Sequence, residues 1–416
     1  MMKPDEKQIV SPVVTQSGAW KKVKLGDVAD SALGKMLDKV KNQGEYHPYL
    51  ANVDVRWGEF DLSNLSQMRF QESEIEKYAV KYNDLIICEG GETGRCALWK
   101  HHTPMLYQKA LHRVRSKNKD VLNIEYLYYW FLLAGKKNLI DQYTTGATIK
   151  HLPAIKLNGI LIDLPPIEIQ DSIATTLSRY DNLIANYHRQ IKLLEEAAQR
   201  LYKEWFVDLH YPGHENVKVI DGVPEGWEKK RLGEVADINK ETIRKDFNGE
   251  INYIDLSSTK NGRIISRQKY EFSNAPGRAR RIAHDGDIVW GMVRPNLKSY
   301  ALVMSPSERD VFSTGFAVIA ATDVPFTFLY FYATTESFIK YLINCTNGAA
   351  YPAVKPIHFA EAECKVPTKE LLKQFDCIVE PIVRKISLLD TQLTLLTESR
   401  DRLLPKLMSG EIELKI

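Results

Sequence analysis

The chain repeats itself, and no other feature restricts its fold as much. Trp20-Lys-Lys-Val-Lys-Leu25-Gly26-Asp27-Val28-Ala29-Asp30 returns as Trp227-Glu-Lys-Lys-Arg-Leu232-Gly233-Glu234-Val235-Ala236-Asp237, an offset of 207. Tyr82-Asn-Asp84-Leu-Ile-Ile matches Asp285-Gly-Asp287-Ile-Val-Trp, Tyr126-Leu-Tyr-Tyr129 matches Phe328-Leu-Tyr-Phe331, and Gly146-Ala147 matches Gly348-Ala349. Leu164-Pro165-Pro166 and Val366-Pro367 each close a globular stretch before a polar, helix-prone tail. A period near 200 is too long for a solenoid, whose repeats run to ~20–50 residues. The chain is therefore two copies of one globular-plus-tail unit.

The tails carry a heptad seam. In the first, apolar residues fall at Ile173, Leu177, Tyr180, Ile184, Tyr187, Ile191, Leu194, Ala198, Leu201 and Trp205, in steps of four and three. That alternation is the a/d stripe of a coiled coil. The second tail repeats it at Phe375, Val379, Ile382, Ile386, Leu389, Leu393, Leu396, Leu403 and Leu407, broken only by Arg400. Pro381 is expected to start or kink the second helix and Pro405 to disturb its last turn, because proline donates no backbone hydrogen bond. A lone heptad helix exposes its stripe, so each tail is the natural partner of the other. The first helix, about 167–208, spans roughly 60 Å. The linker 209–226 could return that distance only if stretched taut. Antiparallel pairing, with a local turn and a globular unit at each end of a rod, is the expectation.

The expected fold class is α+β. A flexible leader (1–17) precedes the first globular domain (18–164), a central spacer helix (165–210), a linker (211–224), the second globular domain (225–366) and a C-terminal spacer helix (367–416). Strands are predicted at 79–88, 110–115, 287–293 and 316–321, and helices at 124–141 and 326–342.

Composition excludes several classes. With 44% hydrophobic and 26% charged residues, the chain of 416 residues is neither disordered nor collagen-like. The five cysteines, Cys88, Cys96, Cys345, Cys364 and Cys377, form no CxxC pair, which points to buried thiols in a reducing compartment. No His/Cys cluster has zinc-ligand spacing. No signal peptide and no apolar run near the ~18 residues of a membrane span is legible. A cytoplasmic location is expected.

Catalytic motifs are missing from the sequence. Glu89-Gly90-Gly91-Glu92-Thr93-Gly94-Arg95 is a tight loop after a strand, without the lysine and following helix of a P-loop. Glu363-Cys364-Lys365 resembles half of a nuclease site only by coincidence, since the sole Pro-Asp pair, Pro4-Asp5, lies in the leader. Neither HExxH nor GxSxG is present.

Local charge says more than the net +3. Residues 95–119 hold seven Lys/Arg, three His and no acid. Residues 260–300 hold nine Lys/Arg against Glu271, Asp285 and Asp287. Each cluster lies in the corresponding half of its repeat and is interleaved with Trp99, Tyr107, Tyr270 or Trp290. Such patches suit phosphate contact, and arginine on a loop can also read guanine edges.

Several of these stretches resemble the specificity (S) subunits of Type I restriction–modification systems. They are Leu164-Pro-Pro-Ile-Glu-Ile-Gln170, Leu201-Tyr-Lys-Glu-Trp-Phe206, Gly291-Met-Val-Arg294-Pro-Asn-Leu297, Ser313-Thr-Gly-Phe-Ala-Val318, Gly348-Ala-Ala-Tyr-Pro-Ala-Val354 and Arg400-Asp-Arg-Leu-Leu-Pro-Lys-Leu-Met-Ser-Gly410-Glu-Ile412. The first unit departs by carrying Gln108-Lys-Ala-Leu-His112 where the second has Ser-Thr-Gly-Phe. The resemblance implies two target-recognition domains, each reading half of a bipartite site in double-stranded DNA, with the helices as a ruler. It implies two modification (methyltransferase) subunits docked on the helices and restriction subunits that translocate and cleave. S-adenosylmethionine, ATP and Mg²⁺ would sit on those partners, and this chain would be non-catalytic, with no cofactor, metal or membrane of its own. A heptad added to the ruler would move the domains ~10 Å apart, about three base pairs.

Candidate DNA-binding residues follow from chemistry and motif position. In the first unit they are Gly91, Thr93, Gly94, Arg95, Lys109 and Lys150. In the second they are Arg278, Arg280, Arg281, Arg294, Asn296, Lys298 and Tyr351. Leu232 and Gly233 read instead as core and turn. Two alternatives stand beside this reading: a recognition subunit for a fused methyltransferase-nuclease, and a coiled-coil scaffold that binds no DNA.

Overall fold

The Leu-Gly turn that opens each repeat shows why the repeats begin alike. Leu25 and Leu232 are fully buried. A Cβ on Gly26 would lie 2.9 Å from Asn158, and one on Gly233 would lie 3.0 Å from Ala360. Only glycine lets the opening turn sit this close to the short helices Ala154–Asn158 and Pro356–Ala360. The computed structural model describes residues 20–38, 42–148, 150–260, 262–346 and 352–414. They divide into two compact units: residues up to Ile184 together with Leu395 onward, and residues Ala185–Thr394.

The first unit holds a four-stranded antiparallel sheet in the order Ala29–Leu33, Leu111–Ser116, Leu85–Cys88, Cys96–Leu98. Its second sheet runs Gln67–Phe70, Glu45–Leu50, Met105–Tyr107, Ala79–Val80. In that sheet the pairing of Glu45–Leu50 with Met105–Tyr107 is parallel. A ribbon of Lys21–Lys24 against Leu161–Leu164 closes the globular part. Helix Ile124–Lys136 is capped by the Asn123 side chain, which accepts from the amides of Glu125 and Tyr126. It buries Tyr126, Leu127 and Phe131 with Leu85, Ile87 and Val114.

The second unit repeats this strand for strand. Its sheets run Ala236–Ile238, Phe316–Ala321, Ile288–Gly291, Tyr300–Leu302 and Gln268–Glu271, Glu250–Ile254, Asp310–Ser313, Ala279–Arg281. The parallel pair recurs between Glu250–Ile254 and Asp310–Ser313, and the closing ribbon between Glu228–Arg231 and Glu363–Val366. The single helix expected over 326–342 is two, Phe326–Ala333 and Glu336–Asn344, because the Thr335 side chain caps a new N-terminus at Phe338 N. The strand expected at 79–88 is likewise interrupted: Asp84 accepts from the Lys81 amide at 2.6 Å, and Asn83 turns at φ 70°.

Two long helices, Ile167–Tyr202 and Lys369–Met408, complete the chain, with a π-helical turn at Lys203–Val207 extending the first. The α+β class and the antiparallel pairing expected from sequence are borne out. In the first unit Ile173 and Leu177, near the start of one helix, share a core with Leu404 and Leu407, near the end of the other. In the second unit Ala198, Tyr202 and Trp205 share a core with Phe375, Val379 and Val383. Every seam position of the first helix is buried or half-buried. Contrary to expectation, the second helix neither starts at Pro381 nor breaks at Pro405. Pro381 and Cys377 both face solvent, so water can take the carbonyl that proline leaves unpaired.

Arg400, the break in the seam, is an ionic tie. Its Nη1 donates to Asp181 Oδ1 at 2.8 Å, Tyr129 donates its hydroxyl to Asp181 Oδ2 at 2.6 Å, and Asp401 bridges Arg400 and Lys136. The second unit has its own tie. Arg263 reaches Asp390 at 2.8 Å and Glu195, joining the globular part to both helices.

Candidate nucleic-acid interface

Matching backbone hydrogen bonds bring three loops together in each unit, and a fourth loop, different in the two, joins them. In the first, the loop 89–95 follows strand Leu85–Cys88. Glu89 N donates to Ala110 O at 2.9 Å, and Leu152 N donates to Glu89 O at 2.6 Å. Lys109 N donates to Lys35 O at 2.9 Å, which adds the loop at 34–35. In the second unit the loop 292–299 follows strand Ile288–Gly291. Met292 N donates to Gly315 O at 2.8 Å and Val354 N to Met292 O at 2.8 Å. Thr314 N donates to Arg278 O at 2.8 Å, and Arg294 N to Pro352 O at 2.8 Å. The result is one loop platform, built twice on equivalent strand ends.

The side chains on the two platforms differ. On the first, Gly91 and Gly94 take left-handed φ of 72° and 81°, which tightens the loop. Thr93 and Gly94 are buried. The Arg95 guanidinium turns inward: Nη2 donates to the Asn52 carbonyl at 2.8 Å and Nη1 meets Glu92 at 3.1 Å. Lys150 is paired with Asp141 at 2.6 Å. Lys109 is exposed at the platform, and its ammonium has no partner among the described residues. Much of the surrounding basic cluster is also used internally. Arg115 forks onto Asp84, Arg113 donates to Ala79 O at 2.8 Å, and Lys100 pairs with Glu125. His112 is fully buried, its Nε2 2.8 Å from Leu152 O. Burial pushes its pKa down, with the Leu152 carbonyl opposing. Beneath the platform Lys35 is buried against Glu74. Burial pushes the Glu74 carboxyl up, but the Lys35 ammonium and the Gln71 amide more than offset this and hold it below its ordinary value.

On the second platform Arg294, Asn296 and Lys298 are exposed, and Arg294 and Lys298 hold left-handed φ of 50° and 53°. Non-glycine residues rarely adopt that conformation, and strain of this kind gathers at functional sites. Lys298 pairs with Glu336. A cavity of about 440 Å³ opens beside Arg294 between Leu256, Thr259, Val293 and Leu297. Arg278 is exposed, without a side-chain partner among the described residues. The Arg280 guanidinium lies 5.2 Å over the Phe272 ring and donates to Ala279 O at 2.8 Å. Arg281 is half-buried with its Nε sealed from water and unpartnered, and burial pushes its pKa down. Tyr351 lies outside the described residues, as do the leader and the Gly348-Ala349 repeat.

The site thus brings together Gly91, Thr93, Gly94, Arg95 and Lys109 on one platform and Arg278, Arg294, Asn296 and Lys298 on the other. Arg280 and Arg281 sit on the strand running from Arg278. Sequence reasoning missed Asn52, whose carbonyl holds Arg95 and whose side-chain amide donates to Gly90 O at 2.8 Å. Nothing in the sequence around Asn52 marks it. Cations on strained turns beside an open cavity can hold a polyanion and contact groups presented edge-on. Among the described residues no group of three or more His, Cys, Asp or Glu could hold a metal, and no helix is long and apolar enough to cross a membrane.

Comparison with known families agrees with this geometry. Residues 18–196 match the family model described as Type I restriction modification DNA specificity domain. That specificity domain covers the first globular part and most of the first long helix. The chain is also 23% identical over 411 residues to the Type I restriction enzyme MjaIX specificity subunit of Methanocaldococcus jannaschii, covering 95% of this chain and 94% of that one. It is 24% identical over 416 residues to the MjaVIII specificity subunit of the same organism, covering 95% and 93%. The crystal structure of a Type I restriction–modification S subunit from M. genitalium matches 97% of this chain and 98% of its own, with a TM-score of 0.65 at 16% identity. The fold is shared across both units, including the one outside the matched specificity domain.

Proposed function

We propose that this chain is the DNA sequence-recognition subunit of a Type I restriction–modification complex. Each globular part reads one half of a bipartite site in double-stranded DNA, and the paired helices set the spacing between the halves. Two methyltransferase subunits dock on the helices, and restriction subunits join them. Catalysis, with S-adenosylmethionine, ATP and Mg²⁺, resides on those partners. The observation that carries this reading is the loop platform, stapled by matching backbone hydrogen bonds in both units but bearing different side chains. A shared scaffold with divergent tips is what two readers of different half-sites require, since backbone contacts position a protein and side-chain contacts specify sequence. The names of the relatives support the same conclusion.

The test is to co-express the chain with its methyltransferase partner in a host free of adenine methylation and to map modified adenines by long-read sequencing. A bipartite motif with one methylated adenine per half and a fixed spacer is expected. Inserting one heptad in register into both long helices is expected to lengthen the spacer by about three base pairs. Methylation without a motif, or a continuous motif, would overturn the reading.

A further inference from the structure

We infer that Arg281 is the residue that sets guanine preference in the half-site read by the second unit. The inference rests on the DNA-reading function proposed above. Strand Ala279–Arg281 pairs with Asp310–Ser313 through Ala279↔Ser313 and Arg281↔Phe312, so Arg280 is an extra, bulged residue. A bulge re-aims the side chains beside it. The three arginines consequently meet different surroundings. Arg280 is occupied by Phe272 and the Ala279 carbonyl, and Arg278 lies open to water on the platform. Arg281 is half-buried: its Nε is sealed from water without an acceptor, and no hydrogen bond or ion pair to a described residue engages its Nη groups.

The nearby acids are committed elsewhere. Glu241, beside Arg281 in the chain pairing of 241–243 with 280–282, holds His284 at 2.7 Å. Asp310 holds Arg267 at 3.1 Å and Asp285 holds Arg384 at 3.2 Å. A guanidinium keeps its proton, so a fork of Nη donors that no described residue engages is free to take an acceptor from outside the chain. Guanine presents two acceptors, O6 and N7, spaced for that fork.

A phosphate would satisfy the fork too, but the duplication argues against a phosphate anchor. Phosphate geometry is common to both half-sites, so a general anchor belongs in both copies. In the first unit Asp84 matches Asp287 and Ala79 pairs with Leu106, next to Tyr107, so the position equivalent to Arg281 is Tyr78, half-buried with its ring edge-on to Phe70 and Tyr107. The two copies keep the strand and differ in this side chain, as a reader of one half-site must.

The experiment uses the complex reconstituted with its methyltransferase subunits, a duplex library with both half-sites randomised, and sequencing of the bound fraction at two salt concentrations. The wild-type complex is expected to select a bipartite motif; selecting none would sink the function proposed above rather than this inference. Arg281→Gln and Arg281→Lys are each expected to lose roughly 10- to 100-fold of guanine discrimination at one position of one half-site. The other half-site and the salt dependence of binding should stay unchanged. Thermal melting of the variant chains is expected at or above the wild-type temperature, because an unsatisfied buried charge has been removed or made flexible. An unaltered motif, or a uniform loss across sequences with a shallower salt dependence, would overturn the assignment, the latter by marking Arg281 as a phosphate anchor.

Discussion

The ion pair between Asp181 and Arg400 gives a quantitative test of helix direction. In the antiparallel pairing these residues meet at 2.8 Å although they are 219 residues apart. A parallel pairing would set Asp181 near Val383 and leave the two without contact. Their side chains are 25% and 24% exposed. A hydrogen bond to a charged group contributes ~1.5–3 kcal/mol and an exposed pair ~0–1 kcal/mol. At a quarter exposure, a coupling of ~1–2 kcal/mol between the two side chains is expected. The perturbation is a double-mutant cycle of Asp181→Ala, Arg400→Ala and the pair, read by thermal melting of the transition assigned to the first unit. A unit of this size shifts by ~2–4 °C per kcal/mol, so each single variant should melt several degrees low. The double variant should then melt higher than the summed losses require. Tyr129→Phe, which removes only the second donor to Asp181, should cost less than Arg400→Ala. Effects additive within ~0.5 kcal/mol would refute the pairing.

Three further outcomes are expected. Gly135→Ala, a change that would favour a free helix by ~1 kcal/mol, should instead destabilise the first unit by ~1–3 kcal/mol, because the new methyl would meet the Trp57 ring at 2.1 Å; adding Trp57→Ala should restore part of the loss, as read by melting. For His112, the folded-state pKa lies below the unfolded value near 6.5, so its contribution is complete above that pH. It declines as pH falls through 6.5 toward the depressed folded value, by at most ~1.4 kcal/mol per pH unit, and His112→Gln should flatten the difference between melts at pH 7.5 and 5.5. Asn123→Ala, which removes the cap of helix Ile124–Lys136 and a hydrogen bond to Asp171, should cost ~1 kcal/mol by urea titration.

The long helices were the most legible part of the chain, because burial along a coiled coil follows the heptad and the heptad is written in residue type. Leu372, Val383 and Leu404 are buried although they lie off the seam. Their cores include residues of the globular parts as well as of the other helix, and a one-dimensional period does not encode that second partner. The basic clusters were over-read for a similar reason. Arg113 and Arg115 alternate onto one face of strand Leu111–Ser116, where both donate to Ala79 O and Arg115 also reaches Asp84. A count of charges along the chain cannot separate such a cation from Lys109, which stays open to solvent.

The platforms themselves were not legible, since the bonds that build them are N–H to carbonyl and carry no residue signature. That same property would let one scaffold serve the two specificities proposed above. Glu89 and Met292 occupy the same hydrogen-bonded position in the two units, and so do Ala110 and Gly315, although neither pair shares chemistry. Because main-chain groups hold the loops, a tip residue can change without loosening its loop. Arg294 and Lys298 can hold left-handed turns in one unit while Gly91 and Gly94 do so in the other. Burial of Leu25 and Leu232, the close approach at Gly26 and Gly233, and the paired helices fix where the loops stand. Sequence drift is then confined to side chains that point away from that frame, where the proposed half-site preference could change without refolding the domain.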